Sequence, residues 1–138
     1  MAGYSDTPLI KKLGIKEGTR AALINAPAGF ERELGAIPRD AAIVSPSKKP
    51  LDLILCFVKS EAELKKRFAG LARRLAPAGM LWIAWPKKSA GVATDLSFGV
   101  VQKIGLGAGL VDTKICAVNE VWSGLRFVIR VKDRQRRD

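Results

Sequence analysis

The sequence predicts one α/β domain built on a mainly parallel sheet, and three observations predict it. Residues 51–58 (LDLILCFV) and residues 80–85 (MLWIAW) are nearly continuous apolar runs, the pattern of parallel strands covered on both faces. Between them lies a helical pattern, with Leu64, Phe68, Leu71 and Leu75 on one face and Lys65, Lys66, Arg73 and Arg74 elsewhere. Two final strand patterns, residues 111–118 and 125–131, are separated only by the turn at 119–124, a closeness that implies an antiparallel hairpin.

From the amino terminus, Thr7 is placed to cap a short helix with Pro8 in its first position. Leu9, Ile10 and Leu13 form its apolar stripe and Gly14 ends it. Residues 20–26 read as a buried strand, Pro27-Ala28-Gly29 as a turn and residues 30–34 as a short helix. Residues 41–44 are a brief strand candidate with a difficulty attached. Too few residues separate Val44 from Leu51 for a crossover between neighbouring parallel strands. Either residues 41–44 are not a regular parallel strand or the amino-terminal part of the fold is abbreviated.

Ser60-Glu61-Ala62-Glu63 fits a capping box, in which Ser and Glu satisfy each other's free N–H groups. Pro77 and Gly79 stop the helix that follows. After the polar loop 86–93, Thr94 is expected to cap a helix bearing Leu96, Val100, Val101 and Ile104, which glycines 105, 107 and 109 should end. In the last strand Leu125, Phe127, Ile129 and Val131 alternate with Arg126, Val128 and Arg130, as a half-exposed strand does. Residues 1–132 are expected to form the domain and residues 133–138 a basic tail.

Composition excludes several chemistries. The 138 residues contain no histidine, which removes Ser-His-Asp and Cys-His catalysis and the usual histidine-containing zinc sites. Cys56 and Cys116 are too few for a cysteine-only metal site, and each lies in an apolar run, so both are expected to be reduced, buried thiols. No apolar run approaches the roughly 20 residues that span a bilayer. Residues 1–12 lack the basic and apolar regions of a secretion signal, so the cytoplasm is the expected compartment. The net charge of +11, from 24 basic and 13 acidic residues, favours polyanions. Lys132, Arg134, Arg136 and Arg137 contribute part of it.

Strand, helix, strand, helix and a terminal hairpin also describe the carboxyl half of the class I methyltransferase sheet, in which the antiparallel last strand inserts between its two predecessors. Residues 13–29 resemble the approach to the cofactor loop of those enzymes, where an acidic strand residue leads into a G-x-G-x-G turn. Leu23 occupies the acidic position, Asn25 and Pro27 replace the first two glycines, and Gly29 remains. The next strand candidate ends in Val44-Ser45-Pro46, where such enzymes carry an acidic residue for ribose hydroxyls. The resemblance therefore implies a three-layer Rossmann-like, methyltransferase-like fold more strongly than it implies S-adenosylmethionine binding. Trp85-Pro86-Lys87-Lys88, Thr94-Asp95, Gly109-Leu110 and Trp122-Ser123-Gly124-Leu125-Arg126, with Ala2-Gly3-Tyr4-Ser5 and Thr7-Pro8-Leu9, resemble the bacterial domain-of-unknown-function family 3052. That resemblance implies no particular activity.

In a doubly wound sheet, ligands lie beyond the carboxyl ends of the parallel strands. Residues 25–30, 85–95 and 119–122 would converge there. Lys87 and Lys88, beside a helix start at Thr94, would make an anion site, against the alternative of a solvated loop. Trp85 and Trp122 are placed either to stack on a ring or to pack into the core. Asp95 is expected at a helix N-terminus and Glu120 in a turn. Asn25 would fix its turn by local hydrogen bonds, and Gly29 would permit a tight bend. The favoured reading is a non-catalytic domain binding a small anionic or nucleotide-like ligand through this edge, with no metal. Nucleic-acid or ribosome association through the basic surface and tail comes second, and an S-adenosylmethionine-dependent methyltransferase third.

Overall fold

The computed structural model describes residues 7–45 and 49–136; residues 2–5, part of the family resemblance, lie outside them. The elements are α1 (Leu9–Leu13), β1 (Arg20–Ile24), α2 (Phe30–Leu34), β2 (Ala42–Ile43), β3 (Leu51–Phe57), α3 (Glu61–Ala72), β4 (Leu75–Pro86), α4 (Phe98–Gly107), β5 (Leu110–Ala117) and β6 (Trp122–Ile129). Short 3-10 turns occupy Lys88–Ala90 and Val131–Arg136. The strands form one sheet in the order β2-β1-β3-β4-β6-β5. β2, β1, β3 and β4 run parallel, and β6 is antiparallel to both β4 and β5. The last strand thus lies between its two predecessors, as the methyltransferase resemblance implies.

The order resolves the difficulty at residues 41–44. β2 is a regular parallel strand of two residues, but its neighbour is β1, and β3 lies on β1's other side. Ile43 is level with Ala21, and so is Leu53, two residues into β3. The chain therefore steps back only about 7 Å along the strands and about 10 Å across them. Seven residues, 44 to 50, are enough to reach that distance.

Two apolar layers flank the sheet. On one face α3 and α4 cover Leu51, Ile54, Cys56, Leu81, Ile83, Leu125 and Phe127. On the other, α1 and α2 cover Leu53, Leu55, Phe57, Trp82, Ala84 and Trp122. β3 and β4 are buried on both faces because their side chains alternate between these layers. Trp82 is fully buried, and its indole N–H donates to the Leu13 carbonyl at 2.8 Å. That bond ties α1 to the middle of the sheet, while Gly14, at φ 91°, closes α1 with its backbone N–H on Ile10 and Lys11.

Several boundaries differ from the sequence expectation. α1 begins one residue later, with Pro8 at its N-cap and no side-chain cap. α3 ends at Ala72, and Leu75 already pairs with Leu51 as a strand residue. The chain then bulges, so that Leu53 pairs with Met80; Pro77 and Gly79 belong to this bulge. Trp122, Ser123 and Gly124 are strand residues, not turn, and the final strand stops at Ile129. Arg134 folds back to donate from Nε to the Ile129 carbonyl at 3.0 Å. Arg134, inside the expected tail, thus contacts the end of β6.

α4 differs most. It starts at Phe98, where Ser97 caps it by accepting from the Val100 N–H at 3.3 Å, and it runs through Gly105 to Gly107. Gly105 is no terminator. A β-carbon there would overlap the Phe127 ring, so the glycine sets how closely α4 approaches β6. Gly105→Ala should therefore cost about 2–3 kcal/mol through overpacking. Gly107, with nothing within 4 Å of such a carbon, should gain about 0.5 kcal/mol as alanine. Urea denaturation of the two variants checks both signs.

Candidate functional site

The carboxyl edge of the parallel strands is assembled from the ends of β1, β3 and β4 and the β5–β6 turn. β1 finishes at Ile24, and Asn25 takes the left-handed conformation with φ 59°. Asparagine is among the few non-glycine residues that enter this region readily. Gly29, at φ 83°, is the N-cap of α2. Between them the chain makes a tight loop in which the Phe30 N–H donates to the Pro27 carbonyl at 3.0 Å. Residues 26–32 line an open depression of about 700 Å³. Ala26, Pro27 and Ala28 make its apolar lining, over the buried Phe30 ring, and Glu31 and Arg32 bring opposite charges to it.

The Asn25 side chain reaches out of its turn, where local bonds were expected. Its Nδ2 donates to Glu63 Oε2 at 3.3 Å, joining the β1 loop to the first turn of α3. There Ser60 Oγ accepts from the Glu63 N–H at 3.1 Å, as the capping box predicts, while Glu63 Oε1 accepts from the Lys59 N–H at 3.4 Å. Thr94 and Asp95 complete this cluster. Thr94 Oγ1 donates to the Lys59 carbonyl at 2.6 Å and accepts from the Leu96 N–H. Asp95 Oδ1 accepts from the Glu61 N–H at 2.8 Å. Both residues therefore serve the start of α3, some 35 residues back in the chain, and not a helix of their own. The anion site expected between Lys87, Lys88 and a helix start at Thr94 loses its helix.

Lys87 continues the β4–β6 ladder, its backbone N–H donating to the Val121 carbonyl at 2.7 Å, and Lys88 opens the following 3-10 turn with its side chain exposed. Trp85 is buried in the layer under α3 and α4. Trp122 is 8% exposed and packs edge-on against Phe57, 5.0 Å between ring centres, with Phe57 in turn edge-on to Phe30 at 4.9 Å. Both tryptophans are core residues, and neither offers a face for stacking. Asn119 organises the β5–β6 turn: its Oδ1 accepts from the N–H groups of Val121 and Trp122, and its Nδ2 donates to Glu33 Oε1 at 3.0 Å. Glu120 is exposed in that turn.

The edge thus gathers Asn25, Thr94 and Asp95 at one helix start, and holds Lys87, Lys88 and Glu120 on separate loops. Glu63 and Glu33, which pin those loops, and Glu31 and Arg32 in the depression were not singled out by sequence. Only Glu63 had a signal, the capping box. Among the described residues no group of three or more Cys, Asp or Glu is placed to hold a metal ion. No described helix is long and apolar enough to cross a membrane.

Burial raises both cysteine thiols above their usual range. Burial pushes the Cys56 thiol up to about 12, with Arg67 opposing and Glu63 adding to the shift. Burial also raises Cys116, against the lowering influence of Lys12, Lys114, Arg126 and Lys87. Both thiols are free, and Cys116 is only half-buried.

No family model matches the chain, and a search of curated proteins finds no match. Solved structures do match. A SAM-dependent methyltransferase from Aquifex aeolicus superposes with a TM-score of 0.59 at 15% identity, covering 86% of each chain. The fibrillarin pre-rRNA processing protein of Methanococcus jannaschii gives 0.53 at 13%, covering 91% of this chain and 70% of that one. Magnesium protoporphyrin IX methyltransferase from Synechocystis, with bound SAM, gives 0.53 at 11%, covering 88% and 74%. The fold is that of the class I methyltransferases. At these identities the likeness speaks for architecture, and the residues must be asked separately whether they fit the cofactor. Pro27 contributes no N–H at a glycine position of the loop, the Asn25 amide is engaged by Glu63, and β2 stops after two residues, followed by Val44 and Ser45 with no carboxylate. The residues do not fit S-adenosylmethionine.

Two outcomes test this geometry. Asp95→Ala should lower stability by about 1 kcal/mol, and hydrogen exchange should speed up in the first turn of α3 while α4, capped by Ser97, stays protected. Cys56 should resist iodoacetamide at pH 8.5 in the native protein and react on unfolding. Because its folded pKa is raised, the unfolded chain releases the proton first, so its contribution to stability falls as pH rises from 9 towards 12. Thiol titration in native and denaturing buffer checks the sign.

Proposed function

We propose that this chain is a non-catalytic methyltransferase-fold module that binds a small nucleotide-like anion in the depression beyond β1. The observation that carries the reading is the β1–α2 loop. Left-handed Asn25 and Gly29 bracket an open depression at the carboxyl edge of a doubly wound sheet, the edge where ligands of such sheets lie. Its chemistry suits a ligand with an apolar ring and an anionic group. Ala26, Pro27 and Ala28 offer the apolar surface, Arg32 a guanidinium suited to bidentate contact with a phosphate, and Glu31 an acceptor for hydroxyls. The Synechocystis enzyme named above was solved with bound SAM, so a fold of this kind can hold a nucleoside-sized ligand. The chain itself presents no histidine.

Thermal shift with adenosine monophosphate, adenosine, S-adenosylhomocysteine and S-adenosylmethionine tests the reading. At about 100 times its dissociation constant a ligand adds roughly 2.7 kcal/mol, about 9 °C for a domain of this size. Adenosine monophosphate should shift Tm more than adenosine, and Arg32→Ala should remove that difference. The Lys87→Ala/Lys88→Ala pair tests whether the neighbouring loop contributes: undiminished affinity confines the site to the depression. No shift with any nucleoside would sink the proposal, and tight S-adenosylmethionine binding with methyl release would replace it with an enzyme.

A further inference from the structure

The charge of the molecule is not spread evenly over the sheet. The parallel strands and β6 bring a run of cations to the amino edge, opposite the edge discussed above. Arg39 lies just before β2, Lys49 just before β3, Arg73 and Arg74 immediately before β4, and Arg130 and Lys132 immediately after the antiparallel β6. All six are exposed. Backbone bonds hold these segments together at that edge: the Leu51 N–H donates to the Arg74 carbonyl at 2.8 Å, and the Gly18 N–H to the Arg39 carbonyl at 3.1 Å. The acids at that edge are Glu17, Asp40, Asp52 and Asp133; Asp40 lies 4.0 Å from the Arg39 guanidinium, and Asp52 accepts the Arg20 backbone N–H at 2.9 Å. The carboxyl edge, by contrast, mixes Glu31, Glu33, Glu61, Glu63, Asp95 and Glu120 with Arg32, Lys59, Lys87 and Lys88 on its loops and helix starts, so its charges largely offset one another.

We infer that the amino edge is a docking surface for the phosphate backbone of a nucleic-acid duplex. From β2 to β6 the sheet order places five strands side by side, a width of about 19 Å at the usual strand spacing. Roughly eleven duplex phosphates occupy that length of helix axis, about twice the six exposed cations, so the one face of a duplex turned to this edge can supply a partner for each. Among the described residues no aromatic ring is exposed along these segments: the exposed large hydrophobics are Ile37, Phe98, Leu106, Ile115 and Val131, and Phe98 belongs to α4, outside the segments at this edge. Single-strand binding relies on stacking platforms of that kind, whereas backbone contact to a duplex needs only correctly spaced charge. The surface is therefore sequence-tolerant and salt-sensitive. It is independent of the ligand depression, and either assignment stands if the other fails.

Fluorescence anisotropy of the full chain with a labelled 20-base-pair duplex, RNA in one arm and DNA in the other, tests the inference. Six phosphate contacts predict a loss of about a thousandfold in affinity between 50 and 200 mM salt. Arg73→Glu/Arg130→Glu/Lys132→Glu, confirmed folded by its melting curve, should weaken binding at least thirtyfold at 100 mM salt. Lys87→Glu/Lys88→Glu, which changes net charge at the other edge, should weaken it less than threefold. Equal losses in the two variants would reduce the effect to net charge and overturn the assignment. So would absence of duplex binding at 50 mM salt alongside binding of polyglutamate, which would make the partner an acidic protein. A preference for single strands over the duplex would overturn it as well.

Discussion

Trp82 is the point at which most of this structure meets. It stands on β4 in the middle of the sheet, fully buried, and its indole can be accommodated only because three other choices agree with it. The Leu13 carbonyl, left free at the end of α1, accepts its N–H. Gly124 on the neighbouring β6 leaves room for the ring: a β-carbon there would lie 3.2 Å from Trp82 Cε3 and 2.9 Å from Val118 Cγ2. Arg126, also on β6, places its guanidinium 5.8 Å from the ring centre and holds that position by donating from Nε to Thr113 Oγ1 at 2.8 Å. A buried indole without a partner for its N–H would be costly, so the position of α1, the glycine in β6 and the pairing of β5 with β6 are coupled through one side chain.

The opposite layer shows the same economy by another route. Phe68 on α3 and Phe127 on β6 meet edge to face at 5.2 Å, an arrangement favoured by the ring quadrupoles, and Gly105 lets α4 settle on the same Phe127 ring. Both faces therefore fix β6 between β4 and β5. The antiparallel strand is held in place by side chains as well as by its ladder.

What the sequence made legible was whatever is decided locally or by burial on both faces. The runs at 51–58 and 80–85, the box from Ser60 to Glu63 and the close of α1 at Gly14 are of this kind. The start of α4 was not legible, because two Ser/Thr candidates, Thr94 and Ser97, lie three residues apart and neither is followed by a capping-box acid. The choice is made by α3, whose free N–H and carbonyl at its start capture Asp95 and Thr94 from a distant part of the chain. Gly105 was misread for a related reason: a glycine demanded by close packing and a glycine that ends a helix look alike without the partner strand. At the carboxyl edge, residue types suggested a site around Lys87, Lys88 and two tryptophans. Pairing register instead buries both rings and spends Thr94 and Asp95 on capping, leaving the loop after β1 as the open ground.

The two-residue β2 has a consequence for how such a domain changes over evolutionary time. Because β3 pairs with β1 and not with β2, everything that larger sheets of this architecture place beyond β2 is peripheral to the two apolar layers. Lengthening the link between β2 and β3 costs little, since each doubling of a connection adds only about 0.6 kcal/mol of closure entropy. Whole strand–helix units can therefore be gained or shed at that junction while the central pairings stay untouched. The link between β2 and β3 is thus the place in this chain where an insertion disturbs the two apolar layers least.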